Sequence, residues 1–203
     1  MGMAKKLSED IADLLLNERV MITLEDEPTQ EFVQRVLDNN SFLVMGNDYQ
    51  ERKAYSGTVA YIPYLYNAII REDGTIADGK IGINYVDAKN IYPVSWNNAM
   101  VTECIFTFVY TILQKKYVQI QFHRTEENGM YVIENSVLEC TKGSTEGREL
   151  TEQEWKQLKP FANMAARTET GSLEPQFVID RLNITNNAAE CNPMRIAIFA
   201  NSI

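Results

Sequence analysis

The sequence predicts an α+β protein, with N-terminal helices packed on a mainly antiparallel β-meander. Three observations carry this. Residues 4–56 place apolar side chains at helical spacing, residues 57–140 are rich in β-branched and aromatic residues, and Lys80–Leu138 reads as strands separated by short turn signals. The clearest strand is Tyr117–His123, where Val118, Ile120 and Phe122 alternate with Tyr117, Gln119, Gln121 and His123. Period-two alternation sends the apolar set to a core face and the polar set to water. Before it, Val101–Ile112 is apolar on both sides: Cys104, Phe106, Phe108 and Tyr110 on one, Ile105, Thr107 and Val109 on the other. That pattern suits a central strand covered on both faces.

In chain order, residues 4–18 form an amphipathic helix expected to dock through Leu7, Ile11, Leu14 and Leu15. Val20–Leu24 reads as a short strand. Thr29 is a plausible cap for a helix over Gln30–Asn39, with Phe32, Val33, Val36 and Leu37 on one face. Residues 47–55 make a third, polar helix that ends at Ser56-Gly57. Thr58–Tyr66 is a strand whose Pro63 favours an edge or bulge. Arg71–Gly74 is a turn, Lys80–Val86 begins the meander, and Ile91–Asn98 is an irregular strand end with a tight turn. Lys115-Lys116 and Thr125–Gly129 are the expected turns, and Met130–Leu138 closes the meander. A polar loop, Thr141–Glu149, precedes the capping box of Thr151 and Glu154, which opens a helix to Leu158 that Pro160 stops. Residues 160–175 read as a loop and Phe177–Ile184 as a last strand. The organisation expected is a helical segment over 1–56, a β-rich core over 57–140, a loop, helix and strand over 141–185, and a lead-out segment over 186–203, within one compact domain.

At 203 residues, 45% hydrophobic and 23% charged, the chain has the composition of an ordinary soluble domain. It contains no apolar run of the roughly 20 residues that a membrane-spanning helix needs, and its N-terminus lacks a signal-peptide pattern, so an intracellular product is expected. A net charge of −9 opposes non-specific coating of nucleic acid, which depends on neutralising phosphates. Three widely spaced cysteines, Cys104, Cys140 and Cys191, form no metal motif and suggest free thiols.

The chemical inventory nominates no catalytic, cofactor-binding or metal-binding residue, and leaves binding residues unassigned. His123 is the single histidine and sits on the polar side of its strand, without metal-ligand spacing around it. A Cys–His nucleophilic pair would be a matter of spatial adjacency, and no motif supports one. Glu25-Asp26-Glu27 and Glu126-Glu127 fall in turns, as solvated charge. Gly79-Lys80-Ile81-Gly82 is a weak echo of a phosphate loop. Tyr61, Tyr64, Tyr66, Tyr92 and Trp96 could stack bases, but with few basic neighbours they suit packing or a protein interface better.

Two runs carry a resemblance. Ile83-Asn84-Tyr85-Val86-Asp87-Ala88-Lys89-Asn90-Ile91-Tyr92-Pro93-Val94-Ser95-Trp96-Asn97-Asn98 resembles a segment of the portal proteins of tailed bacteriophages, of the siphophage type found in Gram-positive hosts. Asn192-Pro193-Met194-Arg195-Ile196-Ala197-Ile198-Phe199-Ala200-Asn201-Ser202-Ile203 looks like the run that leads to that family's stem helix, with Arg195 where the family usually has Gly. Met1–Glu18 is similar to the helix placed before the family's wing. The resemblance implies a wing-region fragment without stem, clip or crown, either a trimmed piece of a portal subunit or the product of a degraded prophage gene. It implies a structural, non-enzymatic protein without cofactors, part of a dodecameric ring at one capsid vertex. Implied partners are other portal subunits, terminase, capsid and scaffold proteins and the head–tail connector, with double-stranded DNA as a passenger and no membrane. The expected location is the virion, after synthesis in the bacterial cytoplasm; alone, this chain is expected to be a monomer or small oligomer. Two other classes compete. One is a β-rich tail or adaptor module binding through its Tyr/Trp strand ends, and the other is a hydrolase using a cysteine or His123.

Overall fold

A computed structural model describes residues 3–16, 20–67, 69–71, 76–77, 79–98, 100–140, 147–171 and 174–181. In chain order the helices are α1 (Met3–Leu15), α2 (Glu27–Asn39), α3 (Phe42–Ser56) and the single turn α4 (Glu152–Trp155). The strands are β1 (Thr58–Tyr66), β2 (Ile69–Ile70), β3 (Ile76–Ala77), β4 (Lys80–Asp87), β5 (Ile91–Asn97), β6 (Met100–Ile112), β7 (Lys115–Thr125), β8 (Tyr131–Cys140), β9 (Gly147–Leu150), β10 (Arg167–Glu169) and β11 (Val178–Arg181). Every described strand pair is antiparallel, so the protein is α+β. The contacts fall into two units. One comprises Met1–Ala88 with Phe177–Asn201, and the other Lys89–Gln176, inserted between β4 and β11.

The first unit sets helices α1 to α3 with a sheet of order β11-β1-β4. On α1 the docked residues are Ser8, Ala12 and Leu16, all buried, whereas Leu7 and Leu14 are exposed. Of the expected stripe, Ile11 and Leu15 are half-buried at the border of this face, and Leu7 and Leu14 stand outside it. The reason lies on α3: a Cβ at Gly46 would stand 2.8 Å from Leu16 Cδ1, so small residues on both helices allow close approach. Asn47 then donates to the Leu16 carbonyl at 2.6 Å, satisfying an end carbonyl of α1.

The cap of α2 is Asp26, not Thr29: its carboxylate accepts the Thr29 N–H at 2.9 Å. Pro28 belongs in a first turn, where its missing N–H has no cost. Residues 20–24 form no strand; the Gln30 side chain accepts from Leu24 N at 2.6 Å and donates to Ile22 O at 2.9 Å, meeting the backbone's needs without a ladder. Helix α3 begins at Phe42, earlier than its polar stretch suggested, and ends at Gly57 with φ 81°.

The second unit is a six-stranded sheet of order β10-β8-β7-β6-β5, with β9 also on β8. Strands β6 and β7 form a long hairpin whose turn is Leu113-Gln114, at φ 48° and 66°; Lys115 is already paired with Ile112. Both central residues in the left-handed region make the mirror-image turn that matches strand twist, which places the turn just before the lysine pair. The second expected turn ends at Gly129, φ 81°. Residues 147–149 of the expected polar loop belong to β9, and residues 167–169 of the expected second loop are β10. The Thr151–Glu154 capping box is present. Helix α4 stops at Trp155, and Pro160 lies within a 3-10 turn, Lys159–Phe161. The core of this unit is Tyr117, Val137, Leu150, Trp155 and Phe161, with Tyr110, Ile112, Leu158, Met164 and Ala166 packed around it. The run Asn192–Ile203, with Arg195, and Cys191 lie outside the described residues.

Candidate interaction surface

The residues that sequence reading considered for chemistry turn out to build the fold. His123 lies opposite Cys104 in the β6–β7 register, and both are fully buried. Its ring stands edge-on to Phe106 at 5.2 Å, and its Nε2 is 3.0 Å from Gln121 Oε1. Burial pushes its pKa down to about 3, which keeps the imidazole neutral. Cys104 and His123 are thus adjacent, but inside the core and closed to a substrate.

The expected water-facing side of β7 is the covered one. Tyr110 donates to Gln119 Oε1 at 3.1 Å, and Gln119 donates to Asn135 Oδ1 at 2.8 Å. Asn135 in turn donates to the Ala165 carbonyl at 3.0 Å. The polar row tolerates burial because its amides bond one another.

Glu126 is no free acid. It and Glu134 share Arg124 and Arg167, with Arg167 at 2.7 Å from Glu126 and Arg124 at 2.9 Å from Glu134. Arg167 holds the Glu126 carboxyl below its ordinary range, and Arg124 does the same for Glu134. Gly82 makes room for a ring: a Cβ there would stand 2.5 Å from Tyr64, which lies across it from the paired strand. Among the described residues no group of three His, Cys, Asp or Glu could hold a metal.

A feature sequence reading missed is the polar knot in the first unit. Lys53 is buried on α3 and pairs with Asp180 of β11, while Gln50 donates to Tyr61 Oη at 3.0 Å and to Asp180 at 3.2 Å. Arg52 bonds Asp87 at 3.0 Å and stacks over Tyr49. The signal was present in the spacing Gly46, Tyr49, Gln50, Lys53, which is one helix face; its polarity hid it.

The aromatic set divides. Tyr61 is buried in the first unit's sheet, and Tyr64 and Tyr66 lie there with centroids 5.7 Å apart. Tyr92 and Trp96 belong to β5, an edge strand, and are 50% and 53% exposed. Pro93 and register shifts between Pro93 and Trp96 blunt that edge against further strand pairing. Tyr92 shares a sheet face with Ile105, and the register continues this face through Val109, Val118, Ile120, Phe122 and Leu138. Val109 is 62% exposed, and Ile105, Val118, Ile120, Phe122 and Leu138 are half-buried. Within this unit α4 and its neighbours pack on the opposite face. The result is an apolar surface suited to contact with protein.

The run Ile83–Asn98 spans the end of β4, a 3-10 turn at Ala88–Asn90 and β5, so it carries the chain from the first unit to the second. Its residues have structural roles: the Tyr85 carbonyl accepts from Tyr49 Oη at 3.0 Å, Asp87 pairs with Arg52, and Tyr92 Oη bonds the Lys89 carbonyl at 3.0 Å. Residues 1–155, this run included, match the model of the family described as phage portal protein, SPP1 Gp6-like. The chain belongs to that family. No curated protein matches it. The run Asn192–Ile203 falls outside the matched span. Portal proteins are structural components of the phage virion that assemble with other head proteins. No described helix is long and apolar enough to cross a membrane.

Proposed function

We propose that this chain forms the wing region of a phage portal subunit, the rim of a dodecameric ring at one capsid vertex. In this reading the ring passes double-stranded DNA during packaging and ejection, and terminase and the head–tail connector dock on it. The chain itself is scaffold and contact surface, and turns over no substrate. The observation that carries the reading is the family match across residues 1–155, which takes in both units. The net charge of −9 agrees with a conduit component that must let DNA slide rather than grip it. The experiment is gold labelling of a tagged chain in particles assembled with the head proteins of its phage. Label at a single vertex per capsid is expected. Label on tails, or none on particles, overturns the proposal.

A further inference from the structure

Strand β11 brings the chain back to the first unit, and no turn of its own fixes how it pairs. A hairpin takes its register from its turn, as β6 and β7 do through Leu113-Gln114. Between β1 and β11 lies the whole inserted unit, and β11 is a four-residue strand at the sheet edge. Hydropathy does not choose either, because Phe177, Val178 and Ile179 put apolar side chains on both of its sides. The pairing found sets Thr58 opposite Arg181, Val59 opposite Asp180, Ala60 opposite Ile179 and Tyr61 opposite Val178. We propose that the Lys53–Asp180 pair is a register lock, which selects this pairing of β11 with β1. The lock sets the residue at which the chain leaves the sheet, in steps of about 3.3 Å per residue.

The socket for Asp180 is built locally. Helix α3 ends at Gly57 and β1 starts at Thr58, so the chain itself holds Lys53 and Gln50 beside β1. The Lys53 side chain is 3% exposed and meets one carboxylate oxygen of Asp180, while Gln50 donates to the other at 3.2 Å. Gln50 also donates to Tyr61 Oη at 3.0 Å, tying the socket to the strand that β11 joins. Residues opposite one another on antiparallel strands share a face, so whatever stands opposite Val59 is presented to Lys53. A one-residue slip offers Ile179 or Arg181. The first takes the carboxylate away from a buried ammonium, and the second brings a like charge to it. A two-residue slip offers Val178 or Leu182, with the same loss of the carboxylate. A buried ion pair adds little net stability, but removing one partner is strongly unfavourable. The pair therefore penalises wrong pairings more than it favours the right one, which is what a strand without a guiding turn requires.

The test traps strand pairing with intramolecular disulfides in the full chain carrying Cys140→Ser and Cys191→Ser, with the buried Cys104 retained. Thr58→Cys with Arg181→Cys reports the pairing described above. Thr58→Cys with Ile179→Cys, and Ala60→Cys with Arg181→Cys, report slips of two residues in either direction, which keep the same face. Each pair is oxidised under identical conditions, once with Lys53 and Asp180 intact and once with Lys53→Met and Asp180→Leu. With the lock intact, the first pair is expected to exceed the other two by about tenfold or more. The apolar replacement leaves no buried charge alone, so the urea midpoint is expected to hold while that ratio falls to within about twofold of even. Exchanging two residues of β11, Val178→Asp with Asp180→Val, keeps the composition and moves the carboxylate by two positions. The Thr58/Ile179 pair is then expected to give the highest yield. A ratio unchanged by the apolar replacement, or an exchange variant that still favours Thr58/Arg181, overturns the inference. Failure of both variants to fold would make the pair a stability element, and overturns it as well. The lock does not depend on the portal reading: single-vertex labelling can fail while this trapping succeeds, and the reverse.

Discussion

On β7, Tyr117, Gln119 and His123 are buried, while Val118, Ile120 and Phe122 on the same strand are half-exposed. Hydropathy alone would assign the sides the other way. The difference comes from what each face meets. The polar row lies beneath the segment carrying Trp155 and Phe161, whose aromatic area drives that segment down, and its amides bond one another. Among the described residues the apolar row is only half covered. A sheet face is buried by the element that covers it, and an apolar face left uncovered points to a partner outside the unit.

The largest way to break this contrast is to remove the covering element. Trp155 is 2% exposed and belongs with Tyr117 and Phe161 to the core of its unit. Trp155→Ala is expected to cost about 3–5 kcal/mol, the range for truncating a large buried aromatic. Urea unfolding followed by tyrosine fluorescence or circular dichroism checks it.

The next effect is a pH dependence that only a buried histidine produces. The His123 pKa is near 3 in the folded protein and near 6.5 when unfolded. Above pH 6.5 both states hold a neutral ring and its contribution to stability is complete. As pH falls below 6.5 the unfolded chain binds a proton that the folded chain refuses, so stability is lost. From pH 6.5 to 5 the loss is about 2 kcal/mol, at ~1.4 kcal/mol per pH unit. In that window the paired carboxylates Glu126 and Glu134, held below their ordinary range, stay charged. The His123→Gln protein is expected to lose this slope. A wild-type midpoint that stays flat between pH 6.5 and 5 would place His123 at the surface.

Much of the fold is legible in the sequence where local chemistry acts alone. The Thr151–Glu154 capping box, the Asn128-Gly129 turn and the strands over Thr58–Tyr66 and Lys80–Val86 follow from their residues and are where they were expected. The portal resemblance was legible too, because Ile83–Asn98 makes specific backbone and ring contacts that constrain residue type. What was not legible depended on partners distant in the chain. Leu16, which ends the docked side of α1 behind Ser8 and Ala12, fits there because Gly46 leaves room. Lys53 becomes a core residue only because Asp180, far along the chain, returns on β11. The contact surface was half legible: Tyr92 and Trp96 were noticed as possible interface residues, whereas Val118, Ile120 and Phe122 were assigned to the core, since a single strand does not reveal which of its faces is covered.

The smallest expected effect separates the two faces most sharply. Ile120 stands on the half-exposed row, in register with Thr107 on one side and Ser136 on the other. Ile120→Thr keeps the branched Cβ that suits a strand, and removes apolar area already partly in water. The folded chain should lose less than about 1 kcal/mol by urea unfolding, since only the buried fraction of the side chain counts. A stability loss comparable to that of Trp155→Ala would mean that this row, too, lies beneath a packed segment, and the asymmetry between the faces would vanish.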